Sequence, residues 1–191
     1  MQIFHGVKKE LTEGIPVAKE SDFPKALMDF VRIWGAPANL FTDGAWEEAS
    51  QAVNDIFRYY HIGRHKRSEP YHQHQNPAER KIQDIQRVVN GLLDRTGARP
   101  SEWLLCALFV IDLFNHLAQD SLDGKPALQK VTGQVQDTSK FLAYKWRQLV
   151  YYTDKPGDTK KHFPGKTSGE RLGLWMGPAH DMGDVLTYWI L

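Results

Sequence analysis

Apolar residues recur along this chain at two spacings, and the switches between them mark its elements. The runs QIFHG and GIPVA, separated by the charged VKKELTE, predict two short strands joined as a hairpin with a longer loop. From Phe23 the period lengthens, with Phe23, Leu27, Phe30, Val31 and Trp34 falling on one helical face. Ser21 and Asp22 are placed to cap that helix, and Gly35 and Pro37 to end it. The segment NLFTD, Asn39 to Asp43, reads as a short strand closed by an acid, and Trp46, Ala49, Val53, Ile56, Phe57 and Tyr60 form the next helical stripe.

After a polar stretch rich in histidine and charge, from His61 to Gln75, a third helix opens at NPAE. Asn76 suits its cap and Pro77 its first position, while Ile82, Ile85, Val89, Leu92 and Leu93 line its apolar face up to RTGARP. Pro100 opens a fourth helix reaching about His116, apolar on nearly every side and therefore covered on most of them. The pattern is mixed from Gln119 to Tyr152, and Thr153 to Glu170 is a Pro-, Gly- and Lys-rich linker. RLGLWMG and DVLTYWIL, joined by PAHDMG, predict a closing hairpin. Strands alternating with amphipathic helices argue for an α/β layered domain over 1–118, followed over 119–191 by a linker and a small β-rich segment.

Composition changes this picture little. A chain of 191 residues supports one main core, and 41% hydrophobic with 25% charged residues is ordinary for a globular protein. The apolar run Trp103 to Phe114 is shorter than the roughly 20 residues that cross a bilayer, and Asp112 interrupts it; no membrane is expected. The N-terminus lacks the cationic-then-apolar order of a secretory signal. Cys106, the single cysteine, sits in the apolar run as a packing residue and fits a reducing compartment. With a net charge of +1 there is no global attraction to nucleic acid, although RHKR, ERK and KK are local basic clusters that either contact phosphates or are simply solvated.

Chemistry concentrates in two acids. Asp43 ends a predicted strand, where functional groups of α/β sheets gather, and Glu79 lies in the first turn of the third helix beside a polar stripe of Gln83, Gln86 and Asn90. Two carboxylates brought together repel unless a cation lies between them, and hard oxygen ligands suit Mg²⁺. Two metal ions held by three acids can serve phosphoryl transfer, so that chemistry asks for a third acid. Capping offers a plainer account: Asn76 and Glu79 have capping-box spacing, and Asp43-Gly44 suits a turn. His61, His65, His72 and His74 are a rival zinc set, weakened by loose spacing and a distant cysteine. Walker-type, GxGxxG and GxSxG motifs are absent.

The order and spacing of these words resemble the catalytic core of retroelement integrases, within the ribonuclease H-like superfamily, in the order found in copia-like retrotransposon polyproteins. That family's second and third acids are separated by 35 residues, and 35 residues lie between Asp43 and Glu79. FTDGA is similar to the second-acid strand and PYHQHQNPAERK to the approach to the glutamate; DRTG with WLLC, FNH, KPALQKVTG, DTSKF and GLWMGPAHDMGDVLTYWIL follow in family order. The resemblance implies a ribonuclease H-like core, a mixed sheet flanked by helices, with a small β segment after it. It implies that Asp43 and Glu79 ligate Mg²⁺ or Mn²⁺, that Arg64, Lys66, Arg67, Arg80 and Lys81 lie near DNA phosphates, and that the ancestral activity is DNA strand transfer. DNA and further copies of the chain are the expected partners, at an intracellular and ultimately nuclear place of action.

The chain also departs from the family. The strand bearing the first aspartate is missing from the expected position, and none of Asp22, Asp29 or Asp55 matches its context. Gly44 stands where relatives carry Asn, and NPAE is one residue shorter than NGVAE. Two acids of three should hold metal poorly, which leaves a non-catalytic nucleic-acid-binding or subunit-interaction remnant as the alternative.

Overall fold

The computed structural model describes residues 1–41, 51–63, 77–153, 170–179 and 187–191. Strands β1 (Gln2–His5) and β2 (Thr12–Ile15) pair antiparallel, with Phe4 opposite Glu13 and Ile3 opposite Gly14. The loop between them closes through Gly6, whose N–H donates to Leu11 O at 2.8 Å, and through Glu10, which takes a positive φ of 53°. The second strand thus lies two residues earlier than GIPVA suggests. It ends before Pro16, which has no N–H for a ladder, while Thr12 and Glu13, polar by sequence, are drawn into the pairing.

Alternation along this hairpin separates two helical layers. Phe4 and Ile15 join a cluster with Phe23, Ala26, Leu27 and Val31 of α1 (Phe23–Trp34) and Val53 of α2 (Gln51–Tyr59). On the opposite face, Ile3 packs on a second cluster built from Ile85 and Val89 of α3 (Pro77–Thr96) and Cys106, Ala107, Val110 and Ile111 of α4 (Trp103–His116). The hairpin is therefore a middle layer. The backbone at Gly14 runs close to α4, where a Cβ would stand 2.6 Å from Ile111 Cδ1 and make that side chain shift.

The helices begin and end much as their stripes predict. α1 follows a 3-10 turn at Glu20–Asp22, where Asp22 Oδ2 accepts the Lys19 N–H at 3.2 Å; Asp22 thus closes that turn and makes no capping hydrogen bond to α1 itself. Gly35, at φ +85°, ends α1. Pro77 is the first residue of α3, and Gly97 at φ +60° follows its last turn. α4 is buried around most of its circumference, as a helix apolar on nearly every side must be.

The expected strand from Asn39 to Asp43 is narrower. Asn39 forms an isolated parallel bridge with Gly63, whose N–H also donates to Ala38 O at 2.8 Å, but Leu40 and Phe41 lie outside any strand and Asp43 lies outside the described residues. The backbones approach so closely there that a Cβ on Gly63 would collide with Asn39. Instead of one continuous mixed sheet, the described residues form small antiparallel sheets and this parallel bridge in a mixed α/β fold.

The remainder packs back on α4. β3 (Ala118–Gln119) and β4 (Lys125–Pro126) form a two-stranded sheet leading into α5 (Ala127–Thr132), and α6 (Ser139–Leu142) follows. β5 (Leu149–Thr153), β6 (Glu170–Pro178) and β7 (Tyr188–Ile190) make an antiparallel sheet in the order β5-β6-β7, including the closing hairpin the sequence predicts. Trp146 and Met176 are buried in the same cluster as α3 and α4. No helix among the described residues is long and apolar enough to cross a membrane.

Candidate active site

α3 turns its two faces to different surroundings. Ile85 and Val89 are buried, whereas Gln83, Gln86 and Asn90 are exposed, so the polar stripe runs along the solvent side of the helix. Glu79 is half-buried in the first turn, where unpaired backbone N–H groups favour a carboxylate. Asn76, its partner in a capping box, lies outside the described residues.

Arg80 is exposed. Lys81 points elsewhere: it falls one turn before Ile85 on the apolar side, and its ammonium lies 4.9 Å from the centroid of the Phe114 ring on α4. The same charge reaches β1. Burial holds the His5 imidazole below its ordinary pKa of 6.5, Lys81 lowers it further, and Glu10 opposes both. His5 Nδ1 lies 3.0 Å from Thr12 Oγ1 across the hairpin.

Beside them, Asn115 closes the junction between α4 and β2. Its Oδ1 accepts the Thr12 N–H at 3.0 Å and its Nδ2 donates to Thr12 O at 2.7 Å, so a buried side chain acts as a further strand edge. The start of α3, the end of α4 and the hairpin thus form one junction. The sequence shows Asn115 within FNH, but nothing local to that word reveals its partner.

Two further groups of charges escaped the sequence reading. Glu102 is buried, and its Oε2 accepts from Arg147 Nε at 2.9 Å while Arg147 Nη1 donates to Thr96 O at 2.8 Å. Burial, reinforced by the charge of Glu102, pushes the Cys106 thiol up to about 12, so it is protonated at neutral pH and serves as packing. Asp112, the interruption in the apolar run, lies 3.2 Å from His116 Nδ1 and 3.5 Å from Lys140 Nζ. Burial lowers the Lys140 pKa, and Asp112 and Asp137 oppose the shift.

Of the residues singled out from sequence, Glu79, Arg80 and Lys81 are described together on one turn, whereas Asp43, Arg64, Lys66 and Arg67 lie outside the described residues. Among the described residues, no three His, Cys, Asp or Glu side chains come together as a metal site. The donor chemistry of Asp43 and Glu79, carboxylate oxygens alone, suits a hard divalent ion. His61 is exposed with a φ of 53°, and His65, His72 and His74 of the zinc alternative lie outside the described residues.

No protein-family model matches the chain, and no curated protein matches it. Among solved structures, the fold is similar to a chain of the cryo-EM structure of the simian T-cell lymphotropic virus intasome in complex with PP2A regulatory subunit B56 gamma. The TM-score is 0.52 at 17% identity, over 99% of this chain and 70% of that one. The likeness is one of fold.

Proposed function

We propose that this chain is a ribonuclease H-like, integrase-related domain of copia-like retrotransposon type, whose ancestral reaction is strand transfer into DNA. The observation that carries this reading is a half-buried carboxylate, Glu79, on the first turn of a long helix, within a fold similar to a retroviral intasome chain. The spacing from Asp43 to Glu79 and the words around both acids support it from the sequence side.

In this reading Asp43 and Glu79 hold Mg²⁺ or Mn²⁺. When bound, the metal lowers the pKa of an attacking water or hydroxyl and offsets charge on the phosphodiester. The chain's own groups position the substrate: Arg80, with Arg64, Lys66 and Arg67, neutralises phosphate oxygens, and Gln83, Gln86 and Asn90 offer hydrogen bonds on the same helix. Lys81 works from below, holding the first turn of α3 against Phe114.

A labelled-oligonucleotide assay in Mn²⁺ tests the proposal. Nicking or joining that disappears in Glu79→Gln is the expected result. Duplex binding that weakens with salt but shows no turnover under any divalent ion would replace it with the non-catalytic nucleic-acid-binding reading.

A further inference from the structure

Side chains alternate along the hairpin, so His5 faces the same helical layer as Ile3, that of α3 and α4, while Phe4 faces the other. Its imidazole is half-buried where the three elements meet. Across the strands, Nδ1 lies 3.0 Å from Oγ1 of Thr12, a fully buried residue held through both backbone groups by Asn115 of α4. The same hydroxyl has a second acceptor, Glu10 O, at 3.5 Å. A neutral ring with its proton on Nε2 takes the Thr12 hydroxyl proton at Nδ1, whereas an imidazolium carries a proton on both nitrogens and can only donate there. Protonation therefore turns the hydroxyl toward Glu10 O, a longer and weaker bond.

Few charges face His5 among the described residues. From α3 comes Lys81, whose ammonium sits over the Phe114 ring, and from the hairpin loop comes Glu10, which favours the imidazolium. β2 opposes His5 with Thr12 and places Glu13 on the other face, where its carboxylate accepts from Trp34 Nε1. α1 packs on that same Phe4 face, and its Lys25 and Arg32 pair with Asp22 and Asp29. The titratable groups at the end of α4, Asp112 and His116, face each other, with Lys140 against Asp112. A proton on His5 thus puts a second cation beside Lys81, on the first turn of a helix whose unpaired N–H groups already disfavour positive charge. The last turn of α3 is held separately, by Arg147 on Thr96 O.

We propose that His5 is a proton-operated switch on α3: a proton taken up on the hairpin drives the Lys81 ammonium off the Phe114 ring and loosens the turn that carries Glu79. Acid releases the turn and neutral pH closes it. The movement separates two charges and leaves the apolar contacts of Ile85 and Val89 in place, so it stays local. The switch is a property of the turn whether or not Glu79 holds a metal; its bearing on a metal rests on the function proposed above.

Hydrogen exchange on the full chain without metal, from about pH 7.5 to about pH 5 and corrected for the intrinsic rate, tests the proposal. The amides of Lys81, Ile82 and Gln83 close the first turn of α3. Their protection should fall several-fold across the pH at which NMR sees the His5 ring titrate, while the last turn of α3 keeps its own. In His5→Gln, which keeps a hydrogen-bonding side chain but takes no proton, first-turn protection should be flat with pH. In Lys81→Met, which keeps an apolar stem over Phe114 without the charge, His5 should titrate closer to 6.5 and the turn should not respond. A first turn indifferent to the protonation of His5 would overturn the proposal, as would loosening that persists in His5→Gln or in Lys81→Met. Absence of Mn²⁺ binding would sink the function proposed above and leave the exchange result standing.

Discussion

At its C-terminal end α3 is fixed by charge and by hydrogen bonds: Arg147 reaches from the approach to β5 to Thr96 O on the last turn and to Glu102 at the start of α4. At its N-terminal end the described contacts are softer, an ammonium over the Phe114 ring and a polar stripe left in solvent, with the carboxylate of Glu79 among them. One helix thus joins a charge-anchored end to an end whose described contacts are softer. Under the proposed function, the anchored end would be the scaffold that aims Glu79.

The sharpest way to break the comparison is to remove half of the anchor. Glu102→Ala leaves Arg147 with its charge partly buried and its carboxylate partner gone, and should cost about 3–5 kcal/mol in denaturant unfolding. Replacing both residues by apolar ones of similar size, Glu102→Leu with Arg147→Met, should recover most of that loss. If the single substitution cost no more than an exposed pair does, the C-terminal end would not be the anchor.

Next in size is the junction beneath the N-terminal end. Asn115→Ala strands the buried N–H and C=O of Thr12, for an expected loss of about 2 kcal/mol. Faster amide exchange confined to β2 and the end of α4 would separate this local effect from global unfolding. Lys81→Ala should cost less, about 0.5–1 kcal/mol, since it removes one cation–ring contact and some packing of its stem.

The smallest expected effect is a pH dependence centred on His5. Its pKa in the folded chain lies below the 6.5 of the unfolded one, through burial first and Lys81 second. Between those two values the unfolded state binds more protons, so stability is full above 6.5 and falls as pH drops through the folded value. Lys81→Ala should narrow that window, and His5→Gln should abolish this part of the slope in urea unfolding measured across mildly acidic pH.

The contrast between the ends of α3 also marks what a sequence can reveal. Stripes of period 3.6 made α1 and α3 legible, a run apolar on nearly every side made α4 so, and Pro77 and Gly97 marked the limits of α3, because those signals act over a few residues. The anchor was not legible: Arg147 is 45 residues from Glu102, and Asn115 is 103 from Thr12. No local pattern encodes such pairs. The second strand was misjudged because GIPVA looks apolar while Thr12 and Glu13 do not, although Pro16 and the side chain of Asn115 decide where pairing occurs. Similarly, the apolar look of NLF predicted a strand where the described backbone makes a single parallel bridge. Glu79 stood out because its chemistry and its place on a helix are both local.

The central claim is that Glu79 is a metal ligand as well as a first-turn acid, and titration calorimetry with Mn²⁺ tests it most directly. Wild type should give a saturable binding heat that is lost in Glu79→Gln and in Asp43→Asn, while Gln83→Ala, on the same polar stripe, retains it. An isotherm unchanged in Glu79→Gln would contradict the account and leave Glu79 as a residue that only stabilises the start of its helix.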